Sequence, residues 1–460
     1  MKKIAIVVLS AMCVLALAGC SKKGKNSAAA IQAAVNGDYS QLKVEKDPKT
    51  KKAYDFGGME VGVYNWWVDE NATPTTKDAE DQANYRAYLE ETYNFKCKER
   101  NLNAGWYNHP AEVANYCITG GDDARIFTID GRSAFAGLAA NLWADVSKAP
   151  GVDWKAKKWN KAVLNTMPGK SFNVGLPEVR HVVFFNKRIL QENGFDPDEP
   201  YNLQKEGKWT WAKFEEMCEA LTKDTDNDGI IDQYALSGYH SCFYAPAVYS
   251  NGARIIGVDN NGKYYLDTSD NAMEAINWMH DIFVKYNKPA GPGANWDYFM
   301  ADFINGTTAF YNNQQYDAQP NGILQNMQDD WGLVSFPAGP HGDGKPFTLN
   351  QDNMLVIPSC YSQDKVNKIM KIYDLWSDPV PGYEDDDSWK ERYYACYRDE
   401  RSVDETMQYL IDNSKPWNAW LIPGLSWEPI AWSVCAGADP QETIESQRNQ
   451  IQAALDEMNK

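Results

Sequence analysis

Histidine is scarce here, five in 460 residues, and no GxSxG, HExxH, GxxxxGK[ST] or GxGxxG stands in a plausible context. Those absences remove the common motif-based routes to hydrolysis at zinc, nucleotide phosphate binding and dinucleotide binding. Of nine cysteines, one lies in the hydrophobic leader and another is Cys20. The other seven are scattered with no CxxC and no zinc spacing, so buried free thiols are expected. Positive charge is also short: 45 Lys and Arg stand against 63 Asp and Glu, a formal charge of -18. A chain so acidic offers no overall basic footprint for nucleic acid. Beyond the leader, no apolar stretch reaches the length of a spanning helix. Carboxylates are plentiful, but nothing in the sequence sets two at a glycosidase separation, so catalysis is unsupported.

What is abundant is aromatic: 17 Trp and 26 Tyr, more than a core of this size uses. The excess suits rings stacked on a flat apolar ligand face, as on a sugar. The chain is too long for one ordinary core, so two or three lobes are expected.

The chain opens with Lys2 and Lys3, then an apolar run from Ile4 to Leu17 too short to span a bilayer. Leu17-Ala18-Gly19-Cys20 follows and resembles a lipobox. The reading is a lipoprotein signal over 1–20, with the Cys20 thiol taking diacylglycerol and holding the protein to the membrane. Residues 21–52 are rich in Ser, Lys, Ala, Gly and Asn and read as a flexible tether, with at most a marginal helix from Ala28 to Val35.

Residues 175–214 organise the rest. Val182-Val183-Phe184-Phe185 is a short continuous apolar run, the mark of a strand buried on both faces, as in a parallel sheet. A helix starting at Asn186 carries Ile189 and Leu190 and stops at Gly194, and Thr210 caps the next helix. This strand–helix–loop–Trp–helix run resembles the hinge-crossing segment of bacterial ABC-transporter substrate-binding proteins, the family 1 extracellular solute-binding proteins, in their maltose-binding branch. Other stretches resemble the same family in order: the strand Met59–Tyr64 running into Asn65-Trp66-Trp67, the strand stretch Asp122 to Asp130 after Gly120-Gly121, the unit 298–313, Trp331 to Pro340, and Pro423 to Glu428.

The resemblance implies an α/β, two-lobed, type II periplasmic-binding-protein-like fold, each lobe a mainly parallel sheet flanked by helices and joined by hinge strands. It divides the chain into lobe one at 53–176 with 353–415, and lobe two at 177–345 with 425–460. Hinge crossings fall at 346–358 and 417–430. It implies a binding protein that is no enzyme, an oligosaccharide in the interlobe cleft, ABC permease subunits as partners, and an extracytoplasmic monomer. Trp66, Tyr316 and Trp427 would stack on sugar faces. Asp130, Arg132, Arg180 and Asp352 would bond vicinal hydroxyls, where charged partners give the stronger bonds. Trp67, His181, His240, Tyr244 and Asn313 complete the strand-end set. The same fold could hold a peptide or another solute, and an extracellular glycoside-acting enzyme is the other alternative.

One motif stands apart. Asp224, Asp226, Asp228 and Asp232 occupy positions 1, 3, 5 and 9 of an EF-hand-type loop, with Gly229 at the sharp turn and the Ile230 carbonyl at position 7. Position 12 is Ala235, so the bidentate Glu is missing; the pattern fits a structural calcium or a solvated acidic turn.

Overall fold

The structure is a computed structural model that describes residues 26–384 and 388–460. Cys20, the leader and Asp385–Asp387 of the charged insertion lie outside the described residues. Among those described, the strands are β1 (Met59–Asn65), β2 (Phe95–Asn101), β3 (Ala124–Ile129), β4 (His181–Asn186), β5 (Tyr234–Gly238), β6 (Ile256–Val258), β7 (Tyr264–Leu266), β8 (Thr308–Gln314), β9 (Trp331–Val334), β10 (Thr348–Asn350), β11 (Met354–Val356) and β12 (Ser414–Pro416).

Two four-stranded sheets, β11-β3-β1-β2 and β5-β8-β4-β9, form the centres of two lobes. Helices flank both, and their starts are legible: Thr210, Ser269, Ser362 and Asp439 each accept a backbone N–H three residues on. In the first sheet β1 runs parallel to β2 and β3, and β11 is antiparallel to β3. The second sheet is mixed in the other sense. β4 is antiparallel to both β8 and β9, and only β5 and β8 pair parallel. The apolar run in β4 therefore reported burial correctly and direction wrongly. β4 enters its sheet straight from the hinge rather than from a crossover helix, and it is the crossover that imposes parallel direction.

The cores assign the segments. Tyr373 and Trp376 share a cluster with Val63, Phe95 and Ile126 of the first lobe. Tyr393, Tyr397, Met407 and Leu410 pack with Phe184, Tyr311 and Trp331 of the second. The expected assignment of 353–415 to lobe one is thus corrected: it holds to Val380, and from 388 the chain has already returned to lobe two. A sequence cannot show this, because the helices on either side have the same apolar pattern.

The flexible tether is also shorter than expected. Ala28–Val35 is helical, capped by Ser27, and buries Ala30 and Ala34 in the first lobe. Tyr39 follows, its ring 5.2 Å from Tyr85 and 5.3 Å from Tyr88. Glu45 then pairs at 2.8 Å with Lys371, a buried lysine that also holds Asp374 at 2.7 Å. Two alanines, Tyr39 and Leu42 suffice for docking here, within a composition that reads as linker. All seven described cysteines are free, and only Cys360 is exposed.

Candidate functional site

The hinge sets two sheet edges facing one another. On the first lobe, β1 and β3 end at this edge, and β11 starts there, with Met354 opposite Ile129. Asn65 Oδ1 accepts the N–H of Trp67 at 3.1 Å and of Val68 at 2.8 Å, which turns the chain outward. Trp66 packs edge-on against His109 at 5.0 Å and against Trp67 at 4.6 Å. Trp67 itself stays 55% exposed. Beneath them the buried His109 Nε2 donates to the Thr128 carbonyl at 2.8 Å, and burial lowers the pKa of its ring. Asp130 caps the helix Gly131–Ala139, accepting Ser133 N–H at 3.0 Å and Ser133 Oγ–H at 2.8 Å. Its oxygens are therefore engaged in a cap, a role its place before Gly131 could have announced.

On the second lobe, β4 starts at this edge and β5 and β8 end there, His181 opposite Gln314 and Gly238 opposite Asn312. Arg180 pairs with Glu178, donates to Gln314 Oε1 at 3.1 Å, and sets its guanidinium 5.9 Å over the half-open ring of Tyr316. His181 is buried edge-on against Trp417 at 5.2 Å. His240 lies under Trp432 with ring centres 3.6 Å apart. Burial, with Arg180 adding to it at His181, pushes both imidazoles down to about 3, so both are neutral. Asn313 donates to Asp317 at 2.7 Å and to the Tyr311 hydroxyl. Burial raises Asp317 to about 6, against the bonds it accepts from Tyr311 and Asn313.

Among the described residues several polar atoms of this edge are buried without a hydrogen-bond partner: Arg180 Nε, His181 Nδ1, His240 Nε2, Asn312 Oδ1 and Asn313 Oδ1. Unpaired buried atoms are costly, and these five, like His109 Nδ1 on the first-lobe edge, are hydrogen-bonding capacity that the fold itself does not use.

The segment 417–428 wedges between the lobes. Trp417, Ala419 and Ile422 belong to the second-lobe core, while Leu421 packs on the first-lobe cluster. The expected crossing at 417–430 is therefore a bridge that touches both lobes, while the strand step β12 pairs parallel with β10 just before it. A Cβ on Gly131 would meet Trp420 Cδ1 at 2.8 Å and Leu421 Cδ2 at 2.9 Å, so glycine permits the approach. Arg132 lies 4.4 Å over the Trp420 ring and pairs with Glu428 at 3.3 Å.

Not every residue singled out from the sequence faces the gap. Tyr244 and Trp427 are buried in the second-lobe core, their rings 6.0 Å apart. Asp352 is a hinge brace: it accepts Glu178 N–H at 2.7 Å and Asn160 Nδ2–H at 2.9 Å, tying two passages together. Burial, with Glu178 adding, raises it to about 6. Sequence reasoning passed over Trp106 and Tyr107 at the start of the helix Gly105–Thr119, and Tyr239, Trp420, Glu428 and Trp432. Tyr107 is 87% exposed and Trp296, which precedes a second-lobe helix, 59%. Burial chiefly raises the Tyr239 phenol, and Glu428 and Tyr107 add to it from the bridge and from the first lobe. Tyr239 directly follows β5, the one signal that could have found it.

The acidic loop gathers Asp224, Asp226 and Asp232, one oxygen of each within 4.8 Å of the others. Asp224 accepts three backbone N–H groups, from Asn227 at 2.7 Å, Asp228 at 3.3 Å and Gly229 at 2.8 Å. Gly229 turns there at φ +90°, as position 6 of the motif requires. Asp228 instead accepts the Ile230 N–H at 2.7 Å and stands outside the cluster.

Residues 112–366 match the sequence family described as bacterial extracellular solute-binding protein. No curated protein matches the chain. Among solved structures, UgpB from Mycobacterium tuberculosis in complex with glycerophosphocholine is 16% identical, with TM-score 0.60 over 87% of this chain and 99% of that one. The cyclic alpha-maltosyl-1,6-maltose binding protein from Arthrobacter globiformis is 13% identical, TM-score 0.59, covering 87% and 99%. The ABC substrate-binding protein Lmo0181 from Listeria monocytogenes, in complex with cycloalternan, is 15% identical, TM-score 0.55, covering 87% and 99%. At these identities the likeness is one of fold.

Proposed function

Because the chain belongs to the bacterial extracellular solute-binding proteins, we propose that it is the substrate-binding component of an ABC importer and takes an oligosaccharide between its lobes. The observation that carries this reading is the open aromatic surface at both edges: Trp67 on one, Tyr316 and Trp296 on the other, with Trp432 on the helix Glu428–Cys435 just after the bridge. Rings of this kind cover the apolar faces of pyranose units, and the unpartnered atoms of Asn313, His240 and Arg180 supply hydroxyl-directed bonds beside them. Several solved proteins of like fold carry oligosaccharides. The lobes close on the ligand by hinge motion, and the closed monomer presents both lobes to permease subunits. No catalytic role is assigned.

The test is native mass spectrometry of protein purified without refolding, followed by thermal shift and Trp fluorescence against a panel of mono- and oligosaccharides. A carried-over sugar and a raised melting temperature are expected. A panel without a single shift, or a co-purified peptide or phosphodiester, sinks the oligosaccharide reading.

Two further readings belong here. Leu17 to Cys20 is proposed as a lipobox, making the protein an extracytoplasmic lipoprotein; mass analysis of the N-terminal peptide should find Cys20 acylated. The loop 224–232 is proposed to hold a structural calcium through Asp224, Asp226, Asp228, Asp232 and the Ile230 carbonyl. Titration of chelator-treated protein should then raise the melting temperature, and D226N should abolish that rise. No rise leaves a solvated acidic turn.

A further inference from the structure

The lysines of this acidic chain are not spread evenly around its surface. Residues 43–52 read KVEKDPKTKK, five lysines against two acids, in a protein of formal charge -18. Lys43, Lys46, Lys49, Lys51 and Lys52 are all exposed. The two acids do not cancel them: Asp47 offsets part of the charge of Lys49 and Lys51 and still leaves lysine in excess. Glu45 is turned inward onto Lys371 at 2.8 Å, and the Asp47 carboxylate accepts the backbone N–H of Lys49 and, at 2.9 Å, of Thr50.

The segment is also shaped. Lys46 and Ala53 form an antiparallel bridge, Asp47 donates to the Lys52 carbonyl at 2.9 Å, and Lys51 donates back to the Asp47 carbonyl at 2.9 Å. The tip turns at Lys51, whose φ is +62°. The result is a tight hairpin with Lys49, Lys51 and Lys52 at its end and Lys46 at its base. It is fastened to the first lobe by the docked helix Ala28–Val35, by Glu45 and by the Glu45 N–H donated to Tyr93 Oη at 2.8 Å. Val44, 39% exposed, adds an apolar side chain next to Lys43.

Its place along the chain gives it a partner. Asn26 Oδ1 accepts the Lys43 N–H at 2.9 Å, so the basic segment begins beside the first described residue. Six residue steps separate Asn26 from Cys20, and a fully extended chain covers about 20 Å in that distance. An acylated Cys20 would therefore hold this corner of the first lobe against the bilayer. We propose that the hairpin 43–52 is a membrane-docking surface that binds anionic phospholipid headgroups and fixes which face of the first lobe lies on the membrane. The inference rests on lipidation of Cys20 for its geometry and on the lysines for its chemistry. Each lysine near an anionic surface contributes attraction that decays within a Debye length, so the contact is short-ranged and salt-sensitive. The bulk of the protein, being acidic, is repelled by the same headgroups, so the basic hairpin favours its own side of the first lobe as the face turned to the bilayer.

The test uses the acylated full-length mature protein, reconstituted in phosphatidylcholine vesicles or in vesicles with about one-third phosphatidylglycerol, the class of lipid that attracts juxtamembrane lysines. A membrane-impermeant acetylating reagent reads the reactivity of each lysine by mass spectrometry. On anionic vesicles Lys46, Lys49, Lys51 and Lys52 should react roughly threefold or more slowly than on neutral ones, and high salt should erase the difference. Lys263, on the second lobe, is the internal reference and should not change. A K46E/K49E/K52E variant should melt like the parent and lose the protection at Lys51, the reporter lysine it keeps. Equal reactivity on both vesicles, or protection that survives the charge reversal, overturns the proposal. If Cys20 proves unacylated, the anchor reading fails separately, and the footprint of protein added to anionic vesicles decides: protection keeps the surface, none overturns it.

Discussion

The two edges that face each other across the hinge are built on opposite principles. The first-lobe edge is nearly finished: Asp130 is engaged as a cap, Asn65 as a turn former, His109 Nδ1 alone of its named groups is left buried and unpaired, and what it offers outward is ring surface. The second-lobe edge is unfinished: two neutral buried histidines, a strained-up carboxyl at Asp317 and unpaired amide oxygens sit behind Tyr316. The difference teaches a division of labour. Open rings stand on both sides and most of the unpaired hydrogen-bonding atoms on one, so a ligand that spans the gap is gripped fully only when the lobes meet.

The largest expected effect tests the buried titrating groups. His181 and His240 sit near 3 in the folded protein against an ordinary value of about 6.5. The unfolded chain binds protons there that the folded one does not, so their stability is present above about 6.5 and is lost as pH falls toward 3. Asp317 and Asp352, raised to about 6, act in the opposite sense: their stability is present below about 4 and is lost as pH rises through 6. Between about pH 4 and 6 the slopes of these two pairs offset one another. D317N removes one opposing proton, so its stability should fall relative to the parent by about 1.4 kcal/mol per pH unit from 6 to 4. Urea midpoints across that range read it; parallel profiles would show that Asp317 is not held up by burial.

Next comes the bridge. G131A sets a methyl against Trp420 and Leu421 and should cost about 1–3 kcal/mol, read as a lower melting temperature. An unchanged melting temperature would mean that the bridge moves freely off the first lobe. W67A should sharpen the contrast between edges: affinity for the best oligosaccharide of the panel should drop about tenfold, some 1.4 kcal/mol. Its stability should stay within about 0.5 kcal/mol of the parent, since the ring is already open to water. Calorimetry and melting together separate this from a packing role, which would move both. Smallest is R132Q, which removes a half-exposed ion pair and a cation on Trp420 and should cost about 0.5–1 kcal/mol. No change in a denaturation curve would mark that contact as incidental.

Much of the architecture could be read before the structure. Strand and helix positions followed from apolar period and caps, as at β4 and Thr210, because those signals are local. Strand direction in the second sheet, and the return of 388–412 to that lobe, depend on contacts far apart in sequence, which a local pattern does not encode. The site was half legible. Trp66, Trp67, Arg180, His240, Asn313 and Tyr316 do stand at the strand ends, since strand ends are visible in the chain. Tyr244 turned inward because its helix, His240–Ser250, is buried on every side, Trp427 packs into the same core, and Asp352 became a brace because its partner Glu178 comes from another passage.

The second-lobe core has a consequence for how the protein is made. Its cluster joins Val183 near the middle of the chain to Ile444, Ile451 and Leu455 in the last helix. Contacts of that sequence separation form late, after the loop-closure entropy has been met. A nascent chain therefore lacks a complete second lobe until nearly its final residue has emerged. The first lobe, whose cluster is complete by Val380, can close ahead of it, so the two lobes finish one after the other along the chain.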